Sequence, residues 1–280
     1  MELTKIRISL FTTLSASTGF ILAGQGISKE ILLPALGVFF LASGSCALNQ
    51  YQERGHDQRM ERTRERPLPS KKLSSPTALN ISIGLLLWGS IFLYAGAHGA
   101  ALGFGLFAVF WYNGVYTLLK RKSAFAAIPG ALIGAIPPMI GWVAGKGRLC
   151  LDPQILAISF FFFIWQIPHF WLLLLYSGKD YEKAGLPSLT RLFSSGQLRR
   201  ITFVWIFASS TVCMMLPLFG TVESHAIHGG LFLIAFWVVW NNLRLLAPHR
   251  HLSFPTSPFK TTNAYAIGVV VLIAMDRLFH

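Results

Sequence analysis

Residues 31–70 read ILLPALGVFFLASGSCALNQYQERGHDQRMERTRERPLPS, an apolar run that passes directly into a stretch dense in both signs of charge. About twenty apolar residues are what a helix needs to cross the hydrocarbon core of a bilayer. The first half therefore predicts a membrane span and the second half its aqueous edge. Asn49, Glu53 and Asp57 are spaced i, i+4, i+8 across that junction. If the helix continues through them, a carboxamide and two carboxylates stack on one face. Three hard oxygen donors so placed suit Mg²⁺, which is held by a few carboxylates plus the phosphates of a substrate. Arg59, Arg62 and Arg66 follow closely and offer bidentate donors to phosphate oxygens. The plainer reading is a basic loop that only orients the protein in the membrane. The register of the oxygen donors favours the metal.

Outward from this stretch the chain keeps the same character. It has 280 residues, of which 53% are hydrophobic and only 12% charged, and its mean hydropathy is +0.54. That composition excludes an ordinary soluble domain. Apolar blocks near spanning length fall at 9–26, 31–50, 78–96, 99–119, 125–145, 154–176, 201–221, 226–246 and 262–279. The expectation is an all-α polytopic membrane protein of about nine transmembrane helices, one membrane-embedded domain over residues 1–280.

The net charge of +13 resembles a nucleic-acid signal until its placement is followed. Alternating the loops between the two sides puts all but four of the 24 basic residues on the side of the N-terminus, including Arg244, Arg250 and Lys260. Lys29, Lys146, Arg148 and Arg277 fall on the other side. This is the positive-inside bias. It puts the N-terminus in the cytoplasm and the C-terminus outside, and nucleic acid is not an expected partner. The three cysteines, Cys46, Cys150 and Cys213, are widely spaced, with no zinc-type pattern. Few residues precede the first span and none resembles a cleavage site, which favours a bacterial cell membrane.

Several later segments carry polar chemistry. Tyr116 and Lys120 are four apart at the end of the fourth span, where both can meet a phosphate, although basic helix ends also serve orientation alone. The fifth span contains Pro129, Pro137 and Pro138 with Gly130, Gly134 and Gly141. Small residues at this spacing allow close helix packing, and carbonyls freed by proline need partners in protein or in a cavity. The sixth span holds Trp165-Gln166-Ile167-Pro168-His169-Phe170. Polar residues in an apolar span are costly and usually face a bundle interior. For His169 a packing hydrogen bond, a heme contact, proton transfer and a polar rim all remain open. A second acidic segment follows, with Lys179, Asp180 and Glu182, on the same side as the first.

Four motifs in order carry a resemblance: N-x-x-x-E-x-x-x-D-x-x-M-x-R-T-x-x-R-P-L-P from Asn49 to Pro69, YT-x-LKR-x-S with GA-x-PP-x-x-GW over 116–142, WQ-x-PHF at 165–170 and KDY-x-x-AG-x-P at 179–187. Together they resemble the protoheme IX farnesyltransferases, the heme O synthases among UbiA-type intramembrane prenyltransferases. The resemblance implies nine helices around a central cavity, with the diphosphate site at its cytoplasmic mouth. It implies transfer of farnesyl from farnesyl diphosphate to a vinyl group of heme b, with addition of water and release of diphosphate. Carried over, Asn49, Glu53, Asp57 and Asp180 are the catalytic Mg²⁺ ligands. Arg62, Arg66, Tyr116, Lys120, Arg121 and Lys179 bind the diphosphate, and Trp165, Gln166 and His169 contact heme. The lipid bilayer, heme A synthase and terminal oxidase assembly proteins are the further partners implied. Two departures stand out: Gly55 where many members carry another acid, and Ala184 where the general pattern has a second aspartate, leaving Glu182 as the nearby carboxylate. The competing readings are a UbiA-type enzyme acting on an aromatic quinone precursor and a non-catalytic transporter or assembly factor.

Overall fold

The computed structural model describes residues 2–26, 28–247 and 257–279; Arg250 lies outside them. The described residues form helices and turns, with no strand among them. The long helices are α1 (Ile6–Phe20), α2 (Leu32–Asp57), α3 (Ser75–Val109), α4 (Leu132–Lys146), α5 (Pro153–Lys183), α6 (Ser195–Met215), α7 (His225–Asn242) and α8 (Ser257–Phe279). Each belongs to a segment long and apolar enough to cross a membrane. Large side chains such as Leu87, Trp88, Tyr94, Phe207, Leu233 and Trp240 stand exposed on their outer faces. In a bilayer those faces meet acyl chains, so the exposure carries no hydrophobic cost.

The third segment runs for 45 residues, Ser75–Leu119. Straight, it would reach about twice the hydrocarbon thickness at 1.5 Å per residue. It is broken at His98, whose φ of 66° lies in the left-handed region. The two arms lie side by side against α2. Ser82 Oγ donates to the Gly44 carbonyl at 2.9 Å, while Asn113 Nδ2 donates to the neighbouring Ser45 carbonyl at 3.0 Å. Residues 31 positions apart thus reach adjacent residues of α2. Eight long helical segments therefore hold the nine crossings expected from the apolar blocks.

Other boundaries moved. The fifth block begins as a short turn, Ala127–Gly130, and becomes α4 only at Leu132. Pro137 and Pro138 sit inside α4, buried, without ending it. The helix of the sixth apolar block, α5, runs seven residues past its expected end at 176, so Asp180 lies on α5 and not in a loop.

The small residues of α4 serve packing. A β-carbon on Gly141 would collide with the Ala16 carbonyl of α1, and one on Gly19 with the Pro138 carbonyl. α1 and α4 therefore touch backbone to backbone. Gly130 makes room for the Tyr116 ring, since a β-carbon there would lie 2.5 Å from Tyr116 Cδ2. Gly141→Ala is expected to destabilise the detergent-solubilised protein by about 1–3 kcal/mol, the usual cost of overpacking. Gly84→Ala, with no atom within 4 Å of the new methyl, serves as the control and should hold or slightly raise the melting temperature.

Candidate active site

α2 ends at Asp57, so its last turns carry Asn49, Glu53 and Asp57 on one face, as their spacing predicts. These side chains are buried, their residues exposing 2%, 6% and 3% of their surface. Burying carboxylates is costly unless each is paired and hydrogen-bonded. Each of these has a cation: Lys120 Nζ pairs with Glu53, and Arg66 Nη1 meets Asp57 Oδ2 at 2.9 Å. Asn49 Nδ2 donates to Thr117 Oγ1 at 3.1 Å, and Lys5 Nζ donates to Asn49 Oδ1 at 3.4 Å. Lys5 is itself held in a left-handed conformation, φ 47° and ψ 55°, just before α1. Burial pulls its ammonium below the usual lysine range. Sequence reading assigned Lys5 and Thr117 no role at this face; 44 and 68 residues from Asn49, they give no local signal.

The residues that reach Glu53 and Asn49 depend on a widened π-type turn, Phe110–Tyr116. There Asn113 clasps α2: it donates to Ser45 O and to Gln52 Oε1 at 3.2 Å, accepts from Ser45 Oγ at 2.9 Å, and its carbonyl accepts from Gln52 Nε2 at 3.1 Å. Arg121 extends the clasp by donating to the Gln52 carbonyl at 2.8 Å. Its chemistry is a tether as well as a charge.

The second acidic element comes from the end of α5. Asp180 Oδ2 accepts the backbone N–H of Arg62 at 3.3 Å, which closes the loop after α2 over α5. The Arg62 side chain stays exposed. Lys183 donates to Glu61 Oε1 at 2.6 Å, and this hydrogen bond and charge hold the Glu61 carboxyl below its usual range. Met60, Ala184 and Leu186 are buried together beneath that loop, with Tyr181 packed against them. Ala184 thus seats the loop. Glu182 Oε1 accepts from Thr190 Oγ1 at 2.5 Å, in the turn after α5. Lys179 is exposed and makes no ion pair among the described residues.

The remaining candidates lie along an aromatic line. Lys120 Nζ sits 5.7 Å from the Tyr116 ring centroid, and Tyr116 stacks on Phe170 at 5.8 Å. Phe170 meets the His169 ring at 5.8 Å, and His169 meets Trp165 at 5.1 Å. Trp165 Nε1 donates to the Thr262 carbonyl of α8. Gln166 faces α4 at Gly134, where a β-carbon would lie 2.6 Å from its Oε1. Tyr116, Trp165 and His169 are therefore joined by one line of ring contacts.

Among the described residues no three His, Cys, Asp or Glu side chains converge as a ready-made metal cage. Glu53, Asp57 and Asn49 do form a buried donor strip, and Mg²⁺ characteristically needs only one or two carboxylates with phosphate and water. The donor set fits such an ion when a diphosphate completes it.

The UbiA prenyltransferase family profile matches residues 9–263. The chain belongs to the UbiA prenyltransferase family. Among its curated relatives, the protoheme IX farnesyltransferase of Oleidesulfovibrio alaskensis is 31% identical over 279 residues, covering 99% of this chain and 95% of its own. That of Geobacter sulfurreducens is 37% identical over 263 residues, 92% of each chain. The fold matches a UbiA homologue from Archaeoglobus fulgidus solved with GPP and Mg²⁺, at TM-score 0.73 and 16% identity over 100% of this chain and 99% of that one. A UbiA homologue from Aeropyrum pernix K1 matches at TM-score 0.74 and 17% identity, over 97% and 98% of the chains. This UbiA family member is an integral membrane protein of all-helical fold.

The seat under the loop makes a test. Ala184→Asp would restore the second aspartate of the general pattern, but at a residue 1% exposed against Met60 and Leu186. It should weaken the fold by about 2 kcal/mol or more through an unpaired buried carboxylate. Limited proteolysis should then cut residues 58–66 faster than in the parent protein.

Proposed function

We propose that this chain is the enzyme that transfers the farnesyl group of farnesyl diphosphate to a vinyl group of protoheme IX, with addition of water, giving heme O and diphosphate. The observation that carries the reading is the buried Asn49–Glu53–Asp57 strip, lined by Lys120 and Arg66 and followed by a loop bonded to Asp180, in a chain similar over nearly its whole length to protoheme IX farnesyltransferases. It acts as a single domain of a bacterial inner membrane, N-terminus in the cytoplasm, and hands its product to heme A synthase or an oxidase assembly protein.

Ionising an allylic diphosphate places negative charge on the leaving oxygens and positive charge on carbon. Mg²⁺ held by Asn49, Glu53, Asp57 and Asp180 would supply Lewis acidity to the leaving group. Lys120 and Arg66 are already aligned at the strip by their carboxylates, so they stabilise developing charge without reorganising solvent. Arg121 and the exposed Arg62 and Lys179 add positive potential at the rim. The faces of Tyr116 and Phe170 stand beside this charged end and offer cation–π stabilisation to an allylic cation. The same line continues to His169 and Trp165, which with Gln166 on the neighbouring face toward α4 would contact the flat porphyrin.

Membranes containing the protein, given heme b, farnesyl diphosphate and Mg²⁺, should yield a hydroxyethylfarnesyl heme by liquid chromatography and mass spectrometry. Chelation should abolish it, and Asp57→Ala or Asp180→Ala should lower the rate by about 10²-fold or more. Unchanged heme with prenylation of an aromatic quinone precursor would overturn the acceptor assignment. Thr117→Val, which removes the partner of Asn49, should raise the Mg²⁺ concentration for half-maximal rate by about tenfold.

A further inference from the structure

His169 meets α8 through a single polar contact. Its Nδ1 lies 2.7 Å from Asn263 Oδ1. A carboxamide oxygen can only accept, so the ring nitrogen facing it carries the proton. The neutral imidazole then keeps its lone pair on Nε2, which has no hydrogen-bond partner among the described residues. Two aromatic rings pack on it: Trp165 at 5.1 Å with planes 37° apart, and Phe259 at 5.1 Å with planes 36° apart. Trp165 is fixed in turn by its bond to the Thr262 carbonyl, the residue before Asn263. Two adjacent residues of α8 therefore set two side chains one turn apart on α5. His169 is only partly buried.

An imidazole whose Nδ1–H is engaged and whose Nε2 is open has the form that binds iron axially; ligating histidines almost always donate their other N–H to an oxygen acceptor. We infer that Asn263 is a positioning residue that orients His169 so that Nε2 ligates the iron of the porphyrin substrate. This rests on the protoheme reading above. The ligand bond forms and breaks with no change in the farnesyl chemistry. Its effect is to fix the porphyrin against the aromatic line, so that one vinyl edge is presented toward the diphosphate end.

The test uses the full chain in lipid nanodiscs, titrated with ferrous protoheme IX and read by resonance Raman spectroscopy. The parent protein should show an iron–histidine stretching band. His169→Ala should lose it and bind heme more weakly, and added imidazole should restore the band. Asn263→Leu should weaken heme binding by about 10- to 100-fold, the usual range for the partner of a metal-ligating histidine. Asn263→Asp, a stronger acceptor, should keep binding and move the band to higher frequency. Metal-free protoporphyrin IX should bind the parent and His169→Ala alike. A band that persists in His169→Ala overturns the inference, as does heme binding with no histidine band in the parent; in both cases the protoheme reading stands. Failure of the folded parent protein to bind heme at all overturns both.

Discussion

Glu53 and Asp57 are carboxylates buried at the end of a membrane helix, and a buried anion without a partner is among the costliest things a fold can contain. Much of the architecture at this end follows from meeting that requirement. The loop after α2 doubles back to bring Arg66 to Asp57. The third segment reverses at His98 and returns along α2, which delivers Thr117 to Asn49 and Lys120 to Glu53. Asn113 and Arg121 then fasten the returning arm to α2. A single uninterrupted helix over Ser75–Leu119 would have carried Lys120 far beyond the opposite membrane surface and left Glu53 alone.

Ion pairs in such places are weak evidence for stability, since apolar residues of similar volume often do as well or better. Under the proposed function their value is chemical: a lysine and an arginine held in register by carboxylates would meet the diphosphate, and the same carboxylates its metal. The tether between Asp180 and the Arg62 backbone belongs to the same design, because it closes the loop that carries Arg66.

The sequence made the fold class plain because membrane-length apolar blocks and charge bias are strong, local signals. The face Asn49–Glu53–Asp57 was legible for the same reason: helical spacing alone determines it. Tyr116 and Lys120, four apart, and the α5 pair Trp165 and His169 were legible likewise. What could not be read was anything set by distant contact. Lys5 and Asn263 carry no motif in their own segments, and only packing of α1 and α8 brings them to α2 and α5. The burial of Ala184 with Met60 and the bond of Glu182 to Thr190 are tertiary facts of the same kind. The extension of α5 past 176 was hidden by charge, which marks an aqueous edge and not the end of a helix.

The pairing of Asp57 with Arg66 spans nine residues, whereas Glu53 waits for Lys120 and the loop waits for Asp180. Asp57, the later of the two carboxylates, thus has its cation close by in sequence. Glu53, the earlier one, has its cation beyond the reversal at His98, and the loop has its anchor at the end of α5. The strip thus combines one local pair with one long-range pair. The residues of both pairs precede α5 in the chain, so only the closure of the loop depends on α5 directly.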